Sequence, residues 1–166
     1  MKTIFCLFNS YREAKTAVDG LLAQGFETAE MNAIIRAKNA KEEMDINWAK
    51  AGVQVTERVG KRMLHGLDRL IGSQRPVALP DVGQVYAAGE MATIVATAAM
   101  SLRPAERGLK PALMGFNVPE ENADAYTLGI QGGGLLFWIR TCGVGVPEVV
   151  STLRHQQNAI IASHAN

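Results

Sequence analysis

The stretch Thr3-Ile4-Phe5-Cys6-Leu7-Phe8, with Ser10-Tyr11-Arg12-Glu13 close behind it, decides the reading of the fold. Every position from Ile4 to Phe8 is apolar. Ile4, Cys6 and Phe8 point one way along an extended chain, and Phe5 and Leu7 the other. A strand wet on one face would alternate, so this one predicts burial on both. Ser10 and Glu13 have the spacing of a capping box, in which the hydroxyl and the carboxylate satisfy each other's backbone amides. Ala14, Ala17, Val18, Leu21 and Leu22 then mark one helical face, and Gly25 ends it. Met31 to Arg36, with Ile34 and Ile35, predicts a second strand.

The C-terminal half repeats this grammar. Pro119 opens a helix whose first turn holds Glu120 and Glu121, where the dipole favours negative charge. Ala123, Tyr126 and Ile130 form its apolar stripe, and Gly132, Gly133 and Gly134 close it. Leu135 to Ile139 is a strand apolar on both parities. Pro147 starts another helix, with Val150 and Leu153 inward, and Ala159, Ile160 and Ile161 make a last short strand. Two strand–helix–strand units predict a ferredoxin-like α+β sandwich, a four-stranded antiparallel sheet with helices on one face. Its 166 residues suit a single domain. Residues 1–36 and 112–166 form the sandwich, and about 37–111 form a mainly helical insertion between strands 2 and 3.

Within the insertion, Glu57 to Ile71 predicts a helix. Val59, Met63, Leu67 and Leu70 share one side of it, and Arg58, Arg62, His65 and Arg69 the other. Val85-Tyr86-Ala87 reads as a short strand among prolines and glycines, Glu90 to Leu102 as an apolar helix, and Ala112 to Phe116 as a further helical turn. A ferredoxin-like sheet leaves one face open, yet Phe5, Leu7, Leu136 and Trp138 should not face water there. Either the insertion folds over that face or a second copy of the chain does. The expectation is a homodimer, since closed twofold dimers dominate soluble oligomers.

Composition excludes some functions. Lys and Arg number 17 against 16 Asp and Glu, a formal charge of +1. A dedicated nucleic-acid binder usually carries a basic excess, so none is expected. The weakly polar run from Met91 to Leu102 is too short for a bilayer that needs about 20 residues, so no transmembrane span is expected. Lys2 is followed by too few apolar residues for a secretory signal, and the expected location is the cytoplasm.

No constellation of catalytic residues emerges, so the enzyme reading stays open and leans towards no. His65, His155 and His164 are scattered without metal-ligand spacing, and neither a metal nor a cofactor is expected. Cys6 and Cys142 read as small core residues, a disulfide between neighbouring strands being the alternative. Cys142, Gly143 and Gly145 lie before a helix N-terminus, where a thiol pKa can fall or an anion can meet backbone amides. A simple tight turn explains the same residues. The stripe Arg58, Arg62, His65 and Arg69 is a candidate face for an anion or an acidic partner, with a solvated surface as the plain alternative.

Three segments carry a resemblance. They are "FNSYREAKTAVDGLLAQGF", "ALPDVGQVYAAGEMATIV" and "GFNVPEENADAYTLGIQGGGLLFWIR". Together they resemble a bacterial family of general stress or heat-induced stress proteins, with matching glycines at Gly83, Gly89, Gly115, Gly132 and Gly133. Asp81, Gln84 and Glu90 depart from its central motif. The resemblance implies a stress-associated cytoplasmic protein and no catalytic residue. The expected function is therefore non-enzymatic, through self-association or partner binding. The alternative is a sensor domain that binds a small molecule between insertion and sheet.

Overall fold

The computed structural model describes residues 2–43, 66–72, 74–141, 145–154 and 160–165. In chain order its elements are β1 (Lys2–Phe8), α1 (Tyr11–Ala23), β2 (Met31–Arg36), α2 (Ala37–Glu43), α3 (Leu67–Gly72), β3 (Val77–Leu79), β4 (Gly83–Ala88), α4 (Glu90–Ala99), α5 (Leu109–Gly115), α6 (Glu120–Gln131), β5 (Leu135–Thr141), α7 (Val146–Arg154) and β6 (Ile160–Ala165). The protein is of the α+β class. The six strands among the described residues join one sheet in the order β3-β4-β2-β5-β1-β6, and every neighbouring pair is antiparallel. The insertion thus contributes a hairpin as well as helices. β4 pairs with β2 and widens the sheet at that edge.

Two cores lie on opposite faces, as the parity of β1 and β5 demands. On the first face Ile4, Cys6, Phe8, Leu135, Phe137 and Ile139 meet Ala14, Val18 and Leu21 of α1, Leu67 and Ile71 of α3, and Val149 and Leu153 of α7. On the second face Phe5, Leu7, Leu136 and Trp138 meet Met91 and Val95 of α4, Leu109 and Leu113 of α5, and Ala123, Tyr126 and Ile130 of α6. The chain covers its own second face. The bare surface on which the homodimer expectation rests is filled by α4, α5 and α6. The inner side of α7 is set by Val149 with Leu153, while Val150 is only partly buried.

Local chemistry explains the boundaries. Ser10 Oγ accepts the Glu13 amide at 3.3 Å, which is half of the expected capping box. The other half does not form, and Glu13 Oε2 is buried without a hydrogen-bond partner. α1 closes with Phe26 N–H on Leu21 O and Gly25 N–H on Leu22 O, Gly25 being left-handed at φ 94°. α5 closes the same way, with Asn117 at φ 63° as the left-handed residue. The helix expected from Glu57 to Ile71 does not run unbroken: Gly66 at φ 57° precedes α3, which begins at Leu67. Residues 57–65, with Val59 and Met63, lie outside the described residues. Pro119 caps α6 rather than opening it, and the helix begins at Glu120.

The stretch from Leu79 to Glu90 ties sheet to helices. At the β3–β4 turn, Asp81 Oδ1 accepts Leu109 N–H at 2.9 Å and Oδ2 accepts Lys110 N–H at 3.2 Å, so Asp81 satisfies the exposed amides of α5. Its carbonyl accepts Gln131 Nε2 from the end of α6 at 2.7 Å. At the far end of β4, Gly89 turns the chain at φ 76° into α4.

Candidate functional site

A cleft of about 560 Å³ opens on the outer side of the second helical layer, between α4 and α5. Its origin is in the phase of the two helices. In α4, Met91 and Val95 enter the second core, which turns Thr93, Thr97 and Ala98 to the cleft, with Ile94 between the two. In α5, Leu109, Ala112 and Leu113 are buried. Several of the lining residues that the two helices supply are small: Ala98 on one side, Ala112 and Gly115 on the other. Small side chains at a helix crossing leave space that larger ones would fill. Met100 stands at the rim with 75% of its surface exposed, and Leu102 just beyond is 92% exposed.

Phe116 forms part of the cleft wall and links it to the core. Its ring lies 6.1 Å from that of Trp138, and the Arg140 guanidinium sits over it at 5.1 Å. Trp138 stacks in turn on Phe5 at 5.3 Å, and Phe5 on Tyr126 at 5.5 Å. Arg140 Nη1 pairs with Glu90 Oε1 at 2.9 Å. Two donors here have no hydrogen-bond partner although their atoms are buried, Trp138 Nε1 and Arg140 Nε. A buried N–H left unpaired costs about 1–3 kcal/mol. Burial pushes the Tyr126 hydroxyl up to about 12.

A second hollow of about 690 Å³, more open than the first, lies between the end of α1 and the start of α7, lined by Gln24, Phe26, Gly145, Pro147, Glu148 and Thr152. Gly145 is thus placed beside a hollow, while Cys142 and Gly143 lie outside the described residues. Of the basic stripe, Arg69 is exposed on α3, and Arg58, Arg62 and His65 lie outside the described residues. Next to Arg69, Asp68 binds Lys15 at 2.6 Å and accepts the Tyr11 hydroxyl at 2.5 Å. That carboxylate ties α3 to α1 and is spent on the fold.

Cys6 is wholly buried in the first core. Burial, with the Glu13 charge nearby, pushes its thiol up to about 12, so it is held as an unreactive thiol. Among the described residues, no group of three or more His, Cys, Asp and Glu side chains is placed to hold a metal ion. None of the described helices is long and apolar enough to cross a membrane. The space between insertion and sheet, where the sequence suggests a ligand, is filled by Phe5, Trp138, Met91 and Val95, all 1% exposed or less.

The cleft itself is absent from the sequence reading. Its one local signal is Met100 and Leu102, apolar residues lying past the last turn of α4. Compared with known proteins, the chain matches no protein family, no curated protein and no solved structure. The likeness to the stress-protein family rests on the sequence segments alone.

Proposed function

We propose that this protein is a non-enzymatic binding module that holds a small apolar molecule in the cleft between α4 and α5. The observation that carries this reading is the cleft: its size falls within the ~300–1,000 Å³ of small-ligand sites, and its lining is mainly apolar, with Ile94, Ala98, Ala112 and Phe116 beside the polar Thr97, Ser101 and Glu106. This is the sensor alternative of the sequence reading, moved from the sheet to the outer helical layer. The framework we propose is a ferredoxin-like sandwich. It is supported by the run β2-β5-β1-β6 within the sheet and by α1 and α7 sharing one face. The β3–β4 hairpin departs from it. A stress-associated, cytoplasmic role is part of the same proposal, supported by the sequence resemblance.

Thermal unfolding tests the binding reading. Octan-1-ol present at about a hundred times its Kd should raise Tm by roughly 5–10 °C. Thr97→Phe, at an exposed wall position, should abolish the rise without unfolding the protein. A Tm that no short apolar compound raises would count against the proposal.

A second reading, homodimerisation, is favoured by one observation. Met100, Leu102, Met114 and Leu128 are large apolar side chains left exposed on the second layer or just beyond α4. Light scattering distinguishes it. A mass of twice 17.9 kDa that Leu102→Asp halves would favour it, and a mass near 17.9 kDa would remove it.

A further inference from the structure

We infer that the cleft's ligand is an uncharged amphipathic alcohol, its apolar body lying between α4 and α5 and its hydroxyl donating to Glu106. This rests on the proposed binding role of the cleft and adds the chemistry of the ligand's head.

The segment 101–107, just past α4, folds into a polar lip for the cleft. Ser101 and Glu106 both line the cleft. Ser101 Oγ donates to Glu106 Oε2 at 3.1 Å and accepts the Arg103 N–H at 3.2 Å. Arg103 Nη1 donates to Glu106 Oε1 at 3.2 Å, and Arg107 Nε donates to Ser101 O at 2.6 Å. Together these bonds fix where the carboxylate stands. A carboxylate offers about four lone-pair sites. Each oxygen of Glu106 accepts one donor, so each keeps acceptor capacity, on a residue that lines the cleft.

The charges around Glu106 decide the head group. Among the described residues that line the cleft, Glu106 carries the only charge, so an anionic head would meet repulsion and no partner. A cationic head would meet Arg103 and Arg107, the first already on the carboxylate and the second on the Ser101 carbonyl beside it. Glu106 is thus compensated, and an ammonium would have to displace a guanidinium to gain from it. A hydroxyl avoids both penalties. It donates to the carboxylate and displaces nothing, and a hydrogen bond to a charged group is stronger than one between neutral groups. Most of the remaining lining, with Ile94, Ala98, Pro111, Ala112 and Phe116, is apolar, so the rest of the molecule is hydrocarbon. Glu106 is 53% exposed, so water competes for its carboxylate and the gain is moderate.

The test uses the full chain and four probes: octan-1-ol, its isomer methyl heptyl ether, octylamine and octanoate. The ether matches the alcohol atom for atom in composition and cannot donate. Binding is followed by NMR at the amides of Thr97, Ala98, Ala112 and Gly115. Octan-1-ol should bind about fivefold more tightly than the ether, the net weight of one hydrogen bond made in competition with water. Octylamine and octanoate should both bind more weakly than the alcohol. Glu106→Ala should bring octan-1-ol down to the level of the ether, whose own binding stays unchanged. It should also tighten octanoate several-fold, because Arg103 and Arg107 then stand at the lip without that carboxylate. A residue that merely shapes the lip would not produce opposite changes for alcohol and acid. The comparison of alcohol with ether needs no variant, so it stays decisive even where Glu106→Ala folds poorly. Equal binding of alcohol and ether, tighter binding of octylamine or octanoate by the parent chain, or a Glu106→Ala chain that still prefers the alcohol overturns the hydroxyl assignment and leaves the cleft standing. Failure of all four probes to bind overturns the cleft reading and this inference together.

Discussion

Asn32 Oδ1 accepts the backbone N–H of Glu90 at 2.7 Å, and through that bond the sheet holds the first turn of α4. Asn32 is 3% exposed and lies opposite Trp138 in the β2–β5 ladder. It reaches α4 because Gly89 has no side chain: a Cβ there would lie 2.4 Å from Asn32 Oδ1 and 2.7 Å from Met31 O. The start of α4, the position of Glu90 and hence one side of the cleft depend on this pair. Asn32→Ala should cost about 1–2 kcal/mol, the usual loss for a helix cap. Gly89→Ala should cost more, since it adds a backbone clash to a left-handed φ that alanine disfavours. Urea unfolding of the two variants checks the order.

Asp81 plays the corresponding part for α5. It accepts two of that helix's free amides, and Gly108 lets it approach, since a Cβ at Gly108 would lie 2.7 Å from Asp81 Oδ2. Asp81→Ala should lower stability by about 1 kcal/mol. It should also speed hydrogen exchange at Leu109 and Lys110 while leaving β1 and β5 protected, because only the helix end is released. Uniform loss of protection across the sheet would refute that local role.

Strand parity made half of this architecture readable. Five consecutive apolar residues, Ile4 to Phe8, can only mean that both faces are covered, because a strand's side chains alternate. The identity of the cover was not readable. It depends on the path of a long segment through space, and local periodicity says that a helix has a buried side without saying what it meets. α6 shows the difference: Ala123, Tyr126 and Ile130 are buried as their spacing predicts, but with the insertion helices on the second face. The cleft is less readable still, since Ala98 and Gly115 are ordinary small residues until two helices are brought together.

The two cores and the exposed rim should respond to substitution in opposite ways. Phe5 is 1% exposed and stacked between Trp138 and Tyr126, so Phe5→Ala should cost about 3–5 kcal/mol. Leu102, almost fully exposed, should tolerate Leu102→Ser within about 0.5 kcal/mol. Chemical denaturation with a common slope for both variants checks this. A large loss at Leu102 at micromolar protein would show that the residue is buried in solution by a second molecule, and would move the balance towards self-association.

Alkaline pH should unfold this protein through two buried acids. The Cys6 thiol is pushed up from 9.0 to about 12, chiefly by burial and next by the Glu13 charge. The Tyr126 hydroxyl is pushed up from 10.0 to about 12 by burial. Both hold their protons more tightly in the folded chain than in the unfolded one. Their contribution to stability is therefore complete well below pH 9 and is lost progressively as pH rises from there towards 12, the range in which the unfolded chain releases protons that the folded chain keeps. Unfolding free energy should be nearly flat with respect to these groups from pH 7 to about 8 and should fall progressively above it, as the unfolded thiol ionises around 9.0. In a Cys142→Ser background, Cys6→Ala should flatten the lower part of that fall, between pH 9 and 10, because the thiol begins to titrate first in the unfolded chain. The same background gives a kinetic check: at pH 8 the native protein should react with a thiol reagent no faster than it unfolds. Rapid labelling of Cys6 under native conditions would mean that the first core opens locally, and the alkaline argument would fail with it.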